Sequence, residues 1–373
     1  MQMIRPRWRL RGAVLMAMML ALPALLRPAQ ADDRLHTAWT SQRVLNAVTV
    51  ADDGRVFVSF PYWGGGGAGP TVAEIDRNGQ PHAFPDVRWN HPDGTKGDLA
   101  PFVRVNAIRM GPDGLLWVVD SGDANVGGAA SPASGAPARL LAFDITTGGV
   151  VHALSLRAAS TPHSYMDDIR FHNDTIFVTD AGDPALVVVN LRTGQQRRVL
   201  SHDRSTTDER PMYAEGRLLR VHDQPVRIHA DQLEVSPDGQ KLYFQPSSGP
   251  MWVAPTAALE NPALSPADLS HSVSVFYDTP TTGGTAIDGD GNLYVSDVNR
   301  LRILRITPQG QASTLVRDKR LVWADAMWID SHGTLWIPAV QLNRTATFQP
   351  DGVSRLHLPV AIYTMDLHLK PVR

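Results

Sequence analysis

Apolar and polar residues alternate along most of this chain in short runs, and the runs come in pairs separated by a tight turn. Six stretches share one pattern of apolar segment, Gly/Asp turn and second apolar segment: residues 46–60, 106–120, 167–180, 231–245, 283–297 and 325–339. Strict alternation has the period of a half-buried strand, and Asp-Gly or Asn-Gly between two such runs predicts a hairpin. Gly54, Gly114, Gly239, Gly291 and Gly333 mark five of the turns, and Asn173-Asp174 stands in the shorter third copy. After most hairpins comes a further alternating pair, as in residues 140–156, 186–200 and 303–316. Four strands per repeat and six repeats predict an all-β fold, a six-bladed β-propeller of four-stranded blades around a central channel. The longest departures, residues 122–138 and 202–227, read as surface loops between blade strands.

The first 31 residues break the pattern. Arg5, Arg7, Arg9 and Arg11 precede an uncharged run from Gly12 to Leu26, and Ala29-Gln30-Ala31 closes the segment. A basic region, an apolar region and an A-x-A site in that order predict a signal peptide cleaved after Ala31. Residues 32–373 would then form a single propeller domain, periplasmic or secreted and not membrane-spanning after cleavage. Removing residues 1–31 takes away five Arg and no acid, which moves the formal charge from −2 to −7.

Composition narrows the chemistry. The absence of cysteine excludes disulfides, thiolate metal sites and a cysteine nucleophile. The acidic balance leaves no footprint for nucleic acid. The glycines Gly64, Gly66 and Gly69 spell G-x-G-x-x-G, but Pro70 and a strand pattern follow instead of a helix N-terminus, so no nucleotide cofactor is expected. The expected partner is a small-molecule ligand or substrate, and the expected state is a monomer.

If the first strand of each blade is innermost, the strand starts and the second-strand ends share one face. That face collects Asn46, Asn106, Asp167, Asp231 and Asp325, with Asp120, Asp180, Gln245 and Asp297 from the second strands. Oxygens converging on one axis suit a hard cation such as Ca²⁺, so Asn106, Asp167, Asp231 and Asp325 are candidate metal ligands. Three carboxylates about 10 Å apart repel by about 1.7 kcal/mol per pair at an effective dielectric of 20. A cation, water, raised pKa values or basic partners such as Arg104 and Arg109 must offset that. Strand-start capping is the alternative use of the same side chains. Asn46, Asp120, Asp180 and Asp297 are assigned to the channel mouth, and His163 and His229 are candidate catalytic proton carriers beside it. Trp63 and Trp89 fall in blade-one loops, where they could stack on a ligand.

Several segments together resemble the Yellow and major royal jelly protein family: residues 230–259, 323–344, 70–76 with 84–90, and 106–122 with 141–148. The resemblance implies a secreted six-bladed propeller, with dopachrome isomerisation among the activities of relatives and storage or lipid carriage among others. A more distant similarity is to calcium-dependent gluconolactonase and senescence-marker propellers. It implies a channel-mouth metal held by Glu, Asn and Asp at blade starts. Asn106 and Asp231 or Asp325 match two of those positions, whereas Leu45-Asn46 stands where the Glu belongs.

Overall fold

A computed structural model describes residues 2, 32–61, 68–91, 95, 97–122, 136–221 and 223–372. The chain divides into a segment Met1–Gln30 and a compact unit Ala31–Arg373. The expected signal peptide, Trp63 and most of the 122–138 loop lie outside the described residues.

The compact unit is the expected propeller. Six four-stranded antiparallel sheets follow one another along the chain, the first five with their strands in sequence order. Their inner strands are Val48–Val50, Val105–Met110, Met166–His172, Ala230–Val235, Thr285–Ile287 and Trp328–Ile329. The five turn glycines adopt positive φ, and Asn173 does the same in blade 3 with φ 51°. The sixth sheet closes differently. Its fourth strand is His36–Ser41 from the start of the domain, paired with Val360–Asp366. The first strand of the domain thereby completes the last blade, and the alternation of its own six residues gave no sign of which blade that would be. Blade 4 carries another departure, two short helices (Thr256–Glu260 and Pro266–His271) between its third and fourth strands. Ser265 caps the second by accepting from the Asp268 amide.

Apolar side chains fill the spaces between neighbouring blades. Phe57, Phe84, Trp89, Phe102 and Phe143 pack together between blades 1 and 2. Trp89 is therefore core, not a ligand-stacking loop residue; at 6% exposure its ring is taken up by Phe102 and Phe143. Hydroxyls on or just after second strands tie blades 1 to 4 in succession. Ser59 donates to Asn106 O at 3.0 Å, Ser121 to Met166 O at 2.6 Å and Thr179 to Asp231 O at 2.8 Å.

The 202–227 segment corrects the surface-loop expectation. It forms two small hairpins, Tyr213–Ala214 with Arg217–Leu218 and Arg220–Val221 with Gln224–Pro225. Met212, Ala214, Leu219 and Val226 are buried in one cluster with Leu45, Phe60, Val298, Trp323 and Leu342 from blades 1, 5 and 6. Each such side chain contributes about 1.5–3 kcal/mol by leaving water. The segment is a packed cap over the strand-start face.

Candidate functional site

The ring residues stand where their strands are irregular. Pairing of inner with second strands slips between Val105 and Ile108, between Met166 and Ile169, and between Ala230 and Gln232. Those bulges contain Asn106, Asp167, Asp168 and Asp231. A bulge gives one strand an extra residue and re-aims its side chains. In blade 3 it lets two consecutive aspartates serve two different layers of the channel.

The upper layer is a chain of polar contacts around the channel. Asn46 Nδ2 donates to Asn106 O at 3.1 Å, and Asn106 Nδ2 donates to Asp167 Oδ1 at 2.7 Å. The Tyr165 hydroxyl donates to Asn106 Oδ1 at 2.8 Å. Asp167 and Asp231 are hydrogen-bonded to each other. Asp231 Oδ2 also accepts from Gln232 Nε2 at 2.7 Å and from the Ser247 hydroxyl. Asp325 accepts from Trp323 Nε1 at 3.0 Å and from its neighbour's amide, Ala326 N, at 2.8 Å. Blade 5 offers only Gly283 and Gly284 here. A Cβ on Gly284 would lie 2.2 Å from the Asp325 backbone, so this position admits no side chain.

One of the expected 10 Å separations is thus replaced by contact: Asp167 and Asp231 meet. Burial, then the charges of Asp231, Asp168 and Asp325, push Asp167 well above the usual carboxylate range. Burial pushes Asp231 up to about 7, against the bonds it accepts. Asp325 is raised by burial and by the Asp231 charge. The Asp167–Asp231 bond favours the proton on Asp167 and the charge on Asp231. Gln232 Oε1, on the residue next to Asp231, and Asn46 Oδ1, on the side chain bonded to Asn106 O, are buried without a hydrogen-bond partner.

A second layer lies one step further along the inner strands. Arg109 donates to Asp168 Oδ2 at 2.9 Å and to Met327 O of blade 6 at 2.8 Å. Arg170 bridges Asp168, at 2.7 Å, and Glu234, at 2.8 and 2.7 Å. Thr285 of blade 5 donates to Glu234 at 2.8 Å. Five blades are joined across the channel by this girdle. Burial would raise Asp168, but Arg109 and Arg170 hold it well below the usual range. Asp168, Arg170, Glu234, Tyr165, Gln232 and Ser247 were not singled out from the sequence. A signal for the girdle was present, since Arg109, Arg170 and Glu234 each stand three residues after a ring position in a strand otherwise destined for burial.

The second-strand aspartates are tied into their own blades. Asp120 accepts from Arg104 N and Arg139, Asp180 from Tyr165 N and Arg198, and Asp297 from Arg300 N and Arg302. All three are fully buried inside their blades. His163 is exposed. His229, whose burial lowers its pKa, accepts from Asp208 N at 3.0 Å and so anchors the cap. No group of three His, Cys, Asp or Glu side chains arranged to hold a metal occurs among the described residues. The Asn106 side-chain carbonyl accepts from Tyr165, and Asp167, Asp231 and Asp325 each accept from N–H or O–H donors.

Comparison with known proteins adds the following. A family model described as "Major royal jelly protein" matches residues 105–355. No curated protein sequence matches the chain. Among solved structures, a gluconolactonase from Xanthomonas campestris is 15% identical, with 90% of this chain and 89% of that one covered and a TM-score of 0.55. A calcium-binding regucalcin from Agrobacterium tumefaciens is 12% identical, covering 90% and 95%, with a TM-score of 0.53. A luciferin-regenerating enzyme is 11% identical, covering 90% and 96%, with a TM-score of 0.55. At these identities the likeness is one of fold.

Proposed function

The chain belongs to the major royal jelly protein family, and on that premise we propose that its polar ring isomerises a small ring-shaped molecule by moving a proton. The single observation behind this reading is the hydrogen-bonded Asp167–Asp231 couple, with one member protonated and the other ionising near neutrality. A general base works best with a pKa near the operating pH, and its partner must hold a proton at that same pH. In the dopachrome-type reaction that the family resemblance implies, Asp231 takes a proton from a ring carbon. The C–H electron pair moves into the conjugated system, and Asp167 returns a proton to the electron-rich end. Atoms and electrons balance without an oxidant. Asn46 Oδ1 and Gln232 Oε1 are the acceptors for substrate hydroxyl or amine hydrogens. Lactone hydrolysis is the second reading, favoured by the Ser247 hydroxyl against Asp231. The steps proposed use side chains alone, and none is routed through calcium.

Purified protein assayed on dopachrome and on sugar lactones tests this. Isomerase activity should survive EDTA and fall at least 100-fold in Asp231→Asn and Asp167→Asn, with kcat/KM rising through pH 7 in the wild type. Activity on lactones alone, or loss of activity on chelation, would overturn it. Export belongs to the same reading: residues 1–31 direct the chain out of the cytoplasm and are removed after Ala31.

A further inference from the structure

A cavity of about 780 Å³ occupies the channel at the hairpin-turn ends of the inner strands, on the other side of the girdle from the ring. Its walls include Ile169, Phe171, Val235, Ile287 and Met327, and its inner end is formed by Arg109, Arg170 and Glu234. Those three charged groups offer nothing to an incoming charge. Arg109 is bound to Asp168 and Met327 O, and Arg170 to Asp168 and Glu234. At the outer end stand Asp52, Asp53 and Asp113, and among the described residues no Lys or Arg besides the two girdle arginines lines the space. An anion entering here would meet three carboxylates before reaching the two paired arginines. The volume lies within the ~300–1,000 Å³ of small-molecule sites, and its wall combines apolar side chains with charged and polar groups gathered at its two ends.

We propose that this cavity is a second binding site, distinct from the ring, for an uncharged compound with an apolar body. Burying the compound against the aliphatic and aromatic walls supplies the affinity, and the neutralised inner end accepts it without demanding a charge. The site does not rest on the isomerase reading, because the girdle stands between the two.

Nile red, an uncharged dye that brightens in apolar surroundings, is the probe. One equivalent should bind the wild type, and Val235→Lys and Ala286→Leu should each weaken binding at least tenfold while keeping the melting temperature. The anionic dye ANS should bind at least tenfold more weakly than Nile red. Trp328 also lines the cavity, so Trp328→Phe should retain the dye yet lose the largest share of tryptophan-to-dye energy transfer. This variant serves if the other two fail to fold. Asp231→Asn should leave dye binding unchanged, which separates this site from the ring. No stoichiometric binding, unaltered affinity in folded wall variants, tighter binding of ANS, or energy transfer indifferent to Trp328 would each overturn the proposal.

Discussion

Asp167 and Asp168 are consecutive, chemically identical and driven to opposite acidities. Asp168 meets two guanidinium groups, whereas the half-buried Asp167 beside it meets other carboxylates. Low-dielectric surroundings amplify both effects, so direction is decided by which charges are nearest. Stability should follow. The folded pKa of Asp231, about 7, lies above its ordinary value of 3.8. Between those values the folded protein binds more protons than the unfolded chain, so this group makes stability fall as pH rises from about 4 to about 7. Asp168, being lowered, acts in the other direction, and its contribution is lost as pH falls below the ordinary carboxylate range. Asp231→Asn should therefore raise stability at pH 8 by on the order of 1–4 kcal/mol and change it little at pH 4, since a tenfold change in proton affinity corresponds to about 1.4 kcal/mol. Urea midpoints at the two pH values measure this. Parallel pH profiles for variant and wild type would sink the idea.

Among the elements, the cap between blades 3 and 4 has the most to do with access to the ring. Its hold on blade 6 is a two-pronged ion pair: Arg344 donates to Glu215 through Nε at 2.9 Å and through its terminal nitrogen at 2.6 Å. Asn343 adds a third bond to the same carboxylate at 2.8 Å. Two-pronged, partly shielded pairs of this kind are worth about 1 kcal/mol. Arg344→Ala should cost about that much and should speed tryptic cleavage at Arg217 and Arg220 several-fold, with the blades still resistant. Equal cleavage rates in variant and wild type would show that the apolar cluster alone seats the cap. The cap also touches the ring indirectly, because Met212 and Leu219 share a cluster with Trp323, whose indole holds Asp325.

Across the whole molecule, the closing strand His36–Ser41 decides whether six blades form one cooperative ring. Just before it, Asp32 N donates to Asp318 Oδ2 at 2.9 Å, and Arg320 donates to Asp32 O at 3.0 Å. Cleavage after Ala31 would turn that amide into an ammonium group already facing a carboxylate. Asp318→Asn should then lower the melting temperature of the processed protein by a few degrees more than that of the unprocessed one. N-terminal sequencing of protein recovered from cells should begin at Asp32; an equal effect of the substitution on both forms would refute the added ion pair.

The strands, the six hairpins and their turn positions were legible in the sequence, because alternation and turn chemistry act between residues close in the chain. So was a ring of polar positions at the blade starts, since Asn106, Asp167, Asp231 and Asp325 recur at one offset of the repeat. The tertiary structure alone decided which of them meet. Bulges at Asn106, Asp167 and Asp231 and the bare backbone of Gly284 bring Asp167 against Asp231 and leave Asp325 with Trp323. It alone sent Asp120, Asp180 and Asp297 into their blades and laid residues 202–227 across the mouth. Distances between blades, and the burial that sets a carboxylate's acidity, come from segments far apart in sequence packing together, and no local pattern records them.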